Sequence, residues 1–180
     1  VSLAFSFPKT WSLANGPNLD VREVSTSDSA FVIVFPLPQG ATTIADVGTD
    51  QILTVLFSPA GKYGAYGGVD DSTIKASTIV GLKTATGKDQ PYRRFALKFT
   101  PLTYNQNTVE RRALISATAV GGSCFVMVAG CLATRYKKAE EDLRGVQESF
   151  RASSTGRAAP AAVVEDVEAY ARRISGDATK

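Results

Sequence analysis

The sequence predicts an α+β fold: a mostly antiparallel sheet with a short helix early in the chain and a long helix late. Three observations carry this. Short runs of β-branched and aromatic residues recur between turn residues. The uncharged stretch "ALISATAVGGSCFVMVAGCLA", Ala113 to Ala133, is broken at its centre by Gly121-Gly122. From Tyr136 onward the apolar period becomes that of a helix, about 3.6 residues.

The elements follow in order. Leu3 to Phe7 alternates and stops at Pro8, which predicts a first strand, with Trp11 just beyond it. Val21 to Val24 is a second strand. "SAFVIVFPL" reads as a buried strand ending at Pro36, and "ATTIADVG" as a connection. Thr49 is placed to cap a helix that carries Asp50 in its first turn and Ile52, Val55 and Leu56 on one face; Ser58-Pro59 stops it. "GKYGAYGGVDDS" reads as a loop. Ile74 to Thr84 has strand character, "ATGKDQPY" is a turn, and Phe95 to Phe99 alternates as the partner strand.

Ala113 to Ala133 is long enough for a membrane-spanning helix, which needs about 20 apolar residues. The glycine pair argues otherwise, because each glycine costs a helix interior roughly 1 kcal/mol relative to alanine. Gly-Gly between two runs rich in β-branched residues reads as a hairpin. Neither arm alternates cleanly, which predicts central strands covered from both sides. Tyr136, Ala139, Leu143, Val146 and Phe150 then mark one stripe of an amphipathic helix, with Glu140 and Arg144 paired on its other face.

Residues 1–151 read as the folded domain, and 152–180 as a flexible linker followed by a short amphipathic helix. Val167, Tyr170 and Ile174 lie on that helix's apolar stripe. A helix this short needs a surface to pack on, either the protein's own sheet or a partner protein, and the partner is the expected one.

Composition excludes several functions. The 180 residues contain no histidine. That removes the Ser-His-Asp and Cys-His arrangements and the commonest metal ligand. The net charge of +3 predicts no nucleic-acid partner by itself. Cys124 and Cys131 sit seven residues apart on one predicted strand, too far for a disulfide within it and on opposite faces. The opening "VSLAFSFPKTW" reads as folded domain rather than as a targeting segment.

The motifs are weak. "GLKTATGKD" has the wrong glycine spacing for a phosphate loop, and Asp89 stands where Ser or Thr would bind magnesium. Asp70-Asp71 supplies only a fragment of a calcium site. Charge is unevenly spread. Lys83, Lys88, Arg93, Arg94, Lys98, Arg111 and Arg112 face only Asp89 and Glu110 between Leu82 and Ile115. Arg93-Arg94 and Arg111-Arg112 are each expected where a strand begins, with one arginine on either face. Arg135, Lys137 and Lys138 follow the last strand, at the same end as Arg111 and Arg112. These seven residues form either a solubilising rim or a docking patch for an acidic protein surface.

The order of these segments resembles the PsbP family, extrinsic proteins of the thylakoid lumen. "FSFPKTW" resembles the family's opening. "TIADVGTDQIL" resembles its Asp-aromatic-Gly-Ser lead into the short helix, with Val47 and Thr49 as departures. "GKDQPYRRFALKF" resembles its Gly-Lys-x-Tyr hairpin, with two extra residues before Tyr92. The closing hairpin and helix resemble the family's, with Arg135-Tyr136 where Arg-Trp is usual. The likeness spans Leu3 to about Arg151.

The resemblance implies a central antiparallel sheet with helices on both faces. It implies a non-catalytic protein that binds no cofactor directly. Such a protein docks on photosystem protein subunits from the lumenal side of the chloroplast thylakoid membrane, peripheral to it and not spanning it. On photosystem II the implied role is support of the oxygen-evolving complex by retaining calcium and chloride. Relatives serve instead as assembly or stabilising factors for photosystem I or another thylakoid complex. Some members use a histidine where this chain has Arg112. From the residues alone, a small enzyme or ligand carrier built on the Tyr63/Tyr66 loop stays open.

Overall fold

The computed structural model describes residues 1–14, 19–84 and 87–155. Seven strands form one antiparallel sheet in the order β2-β3-β4-β8-β7-β6-β5. They are β2 (Ser12–Leu13), β3 (Asp20–Arg22), β4 (Ser29–Pro36), β5 (Val69–Lys83), β6 (Asp89–Pro101), β7 (Arg111–Val120) and β8 (Ser123–Leu132). Two further strands, β1 (Ser2–Ala4) and β9 (Arg151–Ser153), pair with each other. The helices are α1 (Thr49–Leu56) and α2 (Tyr136–Ser149), each preceded by a short 3₁₀ turn, Ile44–Asp46 and Ala133–Arg135.

The hairpin at the glycine pair forms as expected. Gly121 and Gly122 have φ of +59° and +83°, which side chains with a Cβ adopt only with strain. Val120 pairs with Ser123, and the register runs unbroken to Arg111 opposite Leu132. Among the described residues no helix is long and apolar enough to cross a membrane. Leu114 and Ile115 are neighbours on β7 yet enter different core clusters. Leu114 packs with Met127, Ala129 and the α2 residues Ala139, Leu143 and Val146. Ile115 packs with Val126, Val128 and the α1 residues Ile52 and Leu56. Cys131 joins the first cluster and Cys124 the second, so the two thiols do lie on opposite sides.

Several boundaries differ from the sequence reading, each for a local reason. The first strand stops at Ala4, because β9 offers only three residues to pair with. The Ser6 N–H donates instead to Ser149 Oγ at 2.9 Å. The second strand ends at Arg22, where a turn forms and the Glu23 N–H donates to the Asp28 carbonyl. Gly48, not Thr49, caps α1; its N–H donates to Gln51 Oε1 at 3.0 Å. Thr43 caps the preceding 3₁₀ turn, accepting from the Ala45 N–H, while Asp46 accepts from the Thr43 N–H. Strand β5 begins at Val69, so Asp70 and Asp71 leave the expected loop and fall within a β-bulge. The turn between β5 and β6 is shorter than expected, since Asp89 already pairs with Lys83 and ion-pairs with it at 2.9 Å. The domain also extends past residue 151: Ala152 is 1 % exposed and pairs with Leu3. The expected tail helix, with Val167, Tyr170 and Ile174, lies outside the described residues.

Helix α2 is pinned to the sheet by a buried polar contact. Gln147 Nε2 donates to the Ile115 carbonyl at 2.8 Å and to the Phe95 carbonyl at 3.4 Å. Phe95 and Ile115 are register partners, so one amide ties the helix to two strands. Gln147→Ala should cost about 1–3 kcal/mol, the range for a lost buried hydrogen-bonding group. For a domain of this size that lowers the melting temperature by roughly 3–10 °C. An unchanged melting curve would show that the amide carries no load.

Burial pushes both thiols up, to a pKa of about 11, from an ordinary value of 9.0. Each thiol's stabilising share is complete below 9 and is lost as pH rises through 11, because the unfolded chain deprotonates first. Neither Cys124 nor Cys131 should react with a thiol reagent in the native protein at pH 8, and both should react on denaturation. Rapid native labelling would place a thiol at the surface.

Candidate functional site

The predicted basic residues fall into two groups. Arg93 and Arg94 lie inside β6, not at its start, because pairing with β5 continues back to Asp89. They do point to opposite sides. Arg93 Nη2 donates to the Ala45 carbonyl at 3.2 Å, in the 3₁₀ turn ahead of α1. Arg94 Nη2 donates to the Glu148 carbonyl at 3.1 Å, at the end of α2. Each arginine therefore fastens one covering element to the sheet.

Arg111 and Arg112 do begin β7, and they repeat the division. Arg111 lies over the Tyr63 ring at 5.6 Å and donates to the Ser27 carbonyl at 3.2 Å. Arg112 lies over the Tyr136 ring at 5.1 Å. Arg135 follows β8 at the same end of the sheet, as expected, but it is not free. Its Nε and Nη2 grip both oxygens of Asp28, at 3.2 and 2.9 Å. Asp28 is 4 % exposed. The planar fork and the buried carboxylate make this a bidentate pair, tying the β3–β4 turn to the start of α2. Lys137 and Lys138 are exposed on the first turn of α2.

The loop between α1 and β5 separates its two tyrosines. Tyr63 is buried edge-on between Phe31 and Phe99, with centroids at 5.7 and 4.7 Å. Burial raises its phenol above the ordinary value. Gly64 allows the loop to fold this tightly, since a Cβ there would strike the Phe57 and Ser58 carbonyls. Tyr66 is exposed and meets the Tyr104 ring edge-on, with centroids at 6.0 Å. The two hydroxyls therefore share no site. A hollow of about 340 Å³ does open beside Tyr63, lined by Arg22, Lys62 and Arg111. Lys62 there is held by Asp20 at 2.8 Å, and burial lowers its pKa. Asp70 and Asp71 are exposed on the edge strand. Among the described residues no three acidic or cysteine side chains converge as a metal site.

Sequence reasoning missed Asp28 and Gln147. Both are polar residues buried by long-range partners, 107 and 32 to 52 positions away. A polar residue on the border of the α2 stripe was the only local signal for Gln147.

Arg135→Glu should lower the melting temperature of the free protein by several degrees, because it leaves the buried Asp28 carboxylate facing a like charge. Arg112→Glu should change it by less than about 2 °C, as a surface substitution without a buried partner. Equal melting points for the two variants would contradict this division of roles.

The sequence matches the PsbP family over residues 2–152. No curated protein matches the chain. Among solved structures it is similar to the solution structure of cyanobacterial PsbP (CyanoP) from Synechocystis sp. PCC 6803. The identity is 17 %, the TM-score is 0.50, and the match covers 84 % of this chain and 86 % of that one. The two therefore share a fold, with the mostly antiparallel sheet and two helices described above. With the family match running from β1 into β9, the chain belongs to the PsbP family.

Proposed function

We propose that this protein is a non-catalytic extrinsic subunit that docks on photosystem II from the thylakoid lumen, peripheral to the membrane. There it supports the oxygen-evolving complex by helping to retain calcium and chloride. Its sheet serves as a middle layer with helices on both faces, so that the outward charges, not a cavity, carry recognition. The observation that carries this reading is the family match across nearly all of the described chain.

The arrangement of charges refines the docking set. Arg93, Arg94, Arg111 and Arg135 are engaged with the protein's own carbonyls and with Asp28. Arg112, Lys137 and Lys138 point outward at one end of the sheet and are the better contacts for an acidic subunit surface. Val167, Tyr170 and Ile174 are proposed as apolar contacts to the same partner.

Native separation of thylakoid complexes, followed by mass spectrometry, tests the assignment. The protein should migrate with mature photosystem II at about one copy per centre. Migration only with assembly intermediates, or with another complex, would overturn it. Washing the membranes with about 1 M salt should release the protein, since screening then acts within about 3 Å. A requirement for detergent would contradict a peripheral electrostatic attachment.

A further inference from the structure

We infer that Lys75, Lys98 and Arg112 form a slot for a single Asp or Glu side chain of a partner protein. The three residues come from adjacent strands. Lys98 on β6 is the register partner of Arg112 on β7. Lys75 on β5 is the partner of Ala96, two residues before Lys98 and on the same face. Between them lies a hollow of about 120 Å³, lined also by Ala96 and Tyr136. That volume suits one charged head group, not a metabolite.

The charges do not cancel. Glu110 sits 3.0 Å from Lys98 and neutralises it. Among the described residues neither Lys75 nor Arg112 meets a carboxylate. Arg135, 23 positions along, shows the contrast, because its fork is filled by Asp28. Arg112 is prepared in another way. Its guanidinium lies over the Tyr136 ring, which stabilises the cation. A cation–π contact consumes no N–H donor, so the guanidinium keeps its donors for a planar bidentate acceptor. Lys75 supplies a second point charge across the Ala96 floor. A carboxylate side chain meets both, accepting two parallel N–H bonds from the guanidinium. The choice of a protein partner rests on the docking function proposed above.

The test is a nuclear magnetic resonance titration of the ¹⁵N-labelled full chain with the peptide Ac-Glu-Asp-Glu-Asp-NH₂. Saturable shifts are expected at the Arg112 Nε–H and at the amides of Ala96 and Ala113. Lys75→Gln and Arg112→Gln should each weaken binding about tenfold, the effect of losing one partner of a close charge pair. Lys9→Gln, at an exposed lysine outside the docking set, should change it less than about twofold. Melting curves identify any variant that fails to fold, and the other then carries the test. Equal shifts with Ac-Gln-Asn-Gln-Asn-NH₂, or undiminished binding by both variants, would overturn the proposal. So would the same resonances responding to phosphatidylglycerol vesicles and not to the peptide. The titration uses the isolated chain, so it can fail while co-migration with the photosystem succeeds, and the reverse.

Discussion

Strand β8 carries eight consecutive buried residues, Cys124 to Cys131, and that requirement for cover on both faces organises the molecule. A strand apolar on one face can lie on the surface of a domain. One apolar on both must sit in the middle of a sheet with something packed on either side. Strands β4 and β7 flank β8 and take up its backbone groups. One core cluster joins β8 to the apolar stripe of α2, and a second joins it to α1 and its preceding turn. Strands β1 and β9 then close over the α2 side, where Ala152 is buried and its N–H donates to the Tyr92 hydroxyl at 3.1 Å.

Covering a sheet with short elements raises a second problem. Helix α1 has eight residues and the 3₁₀ turn before it has three, so neither is stable alone. Arginines on the sheet solve it by donating to carbonyls at the ends of the covering elements. Arg93 reaches the turn before α1, Arg94 reaches the end of α2, and Arg111 reaches the β3–β4 turn. A guanidinium suits this work because it keeps its charge and offers several donors on a long apolar stem. Three of the seven basic residues between Leu82 and Ile115 thus act as internal fasteners. Arg112 and the lysines on the first turn of α2 remain exposed.

That economy bears on recognition. The sheet presents fixed charges at chosen spacings. Arg112 is held over Tyr136, and Lys98 beside Glu110, before any partner arrives. Pre-set charges of this kind favour rate and register of association more than raw affinity.

The sequence by itself determined the elements whose signals are local. Gly121-Gly122 set the central hairpin, because only a glycine accepts both turn angles without strain. The 3-4 spacing from Tyr136 set α2, because that period places apolar groups on one side of a helix. The mixed apolar pattern of β7 and β8 set their double burial. Tertiary structure decided what depends on distant partners. The length of β1 follows from β9, nearly 150 residues away, and the start of β5 from its pairing with β6. The roles of the arginines were decided last. A strand pattern shows which face a side chain takes, but not whether a carbonyl, an aromatic ring or a buried Asp28 waits there. That depends on how the covering elements dock, so Arg135 and Arg112, alike in sequence context, end as an internal clasp and an outward charge.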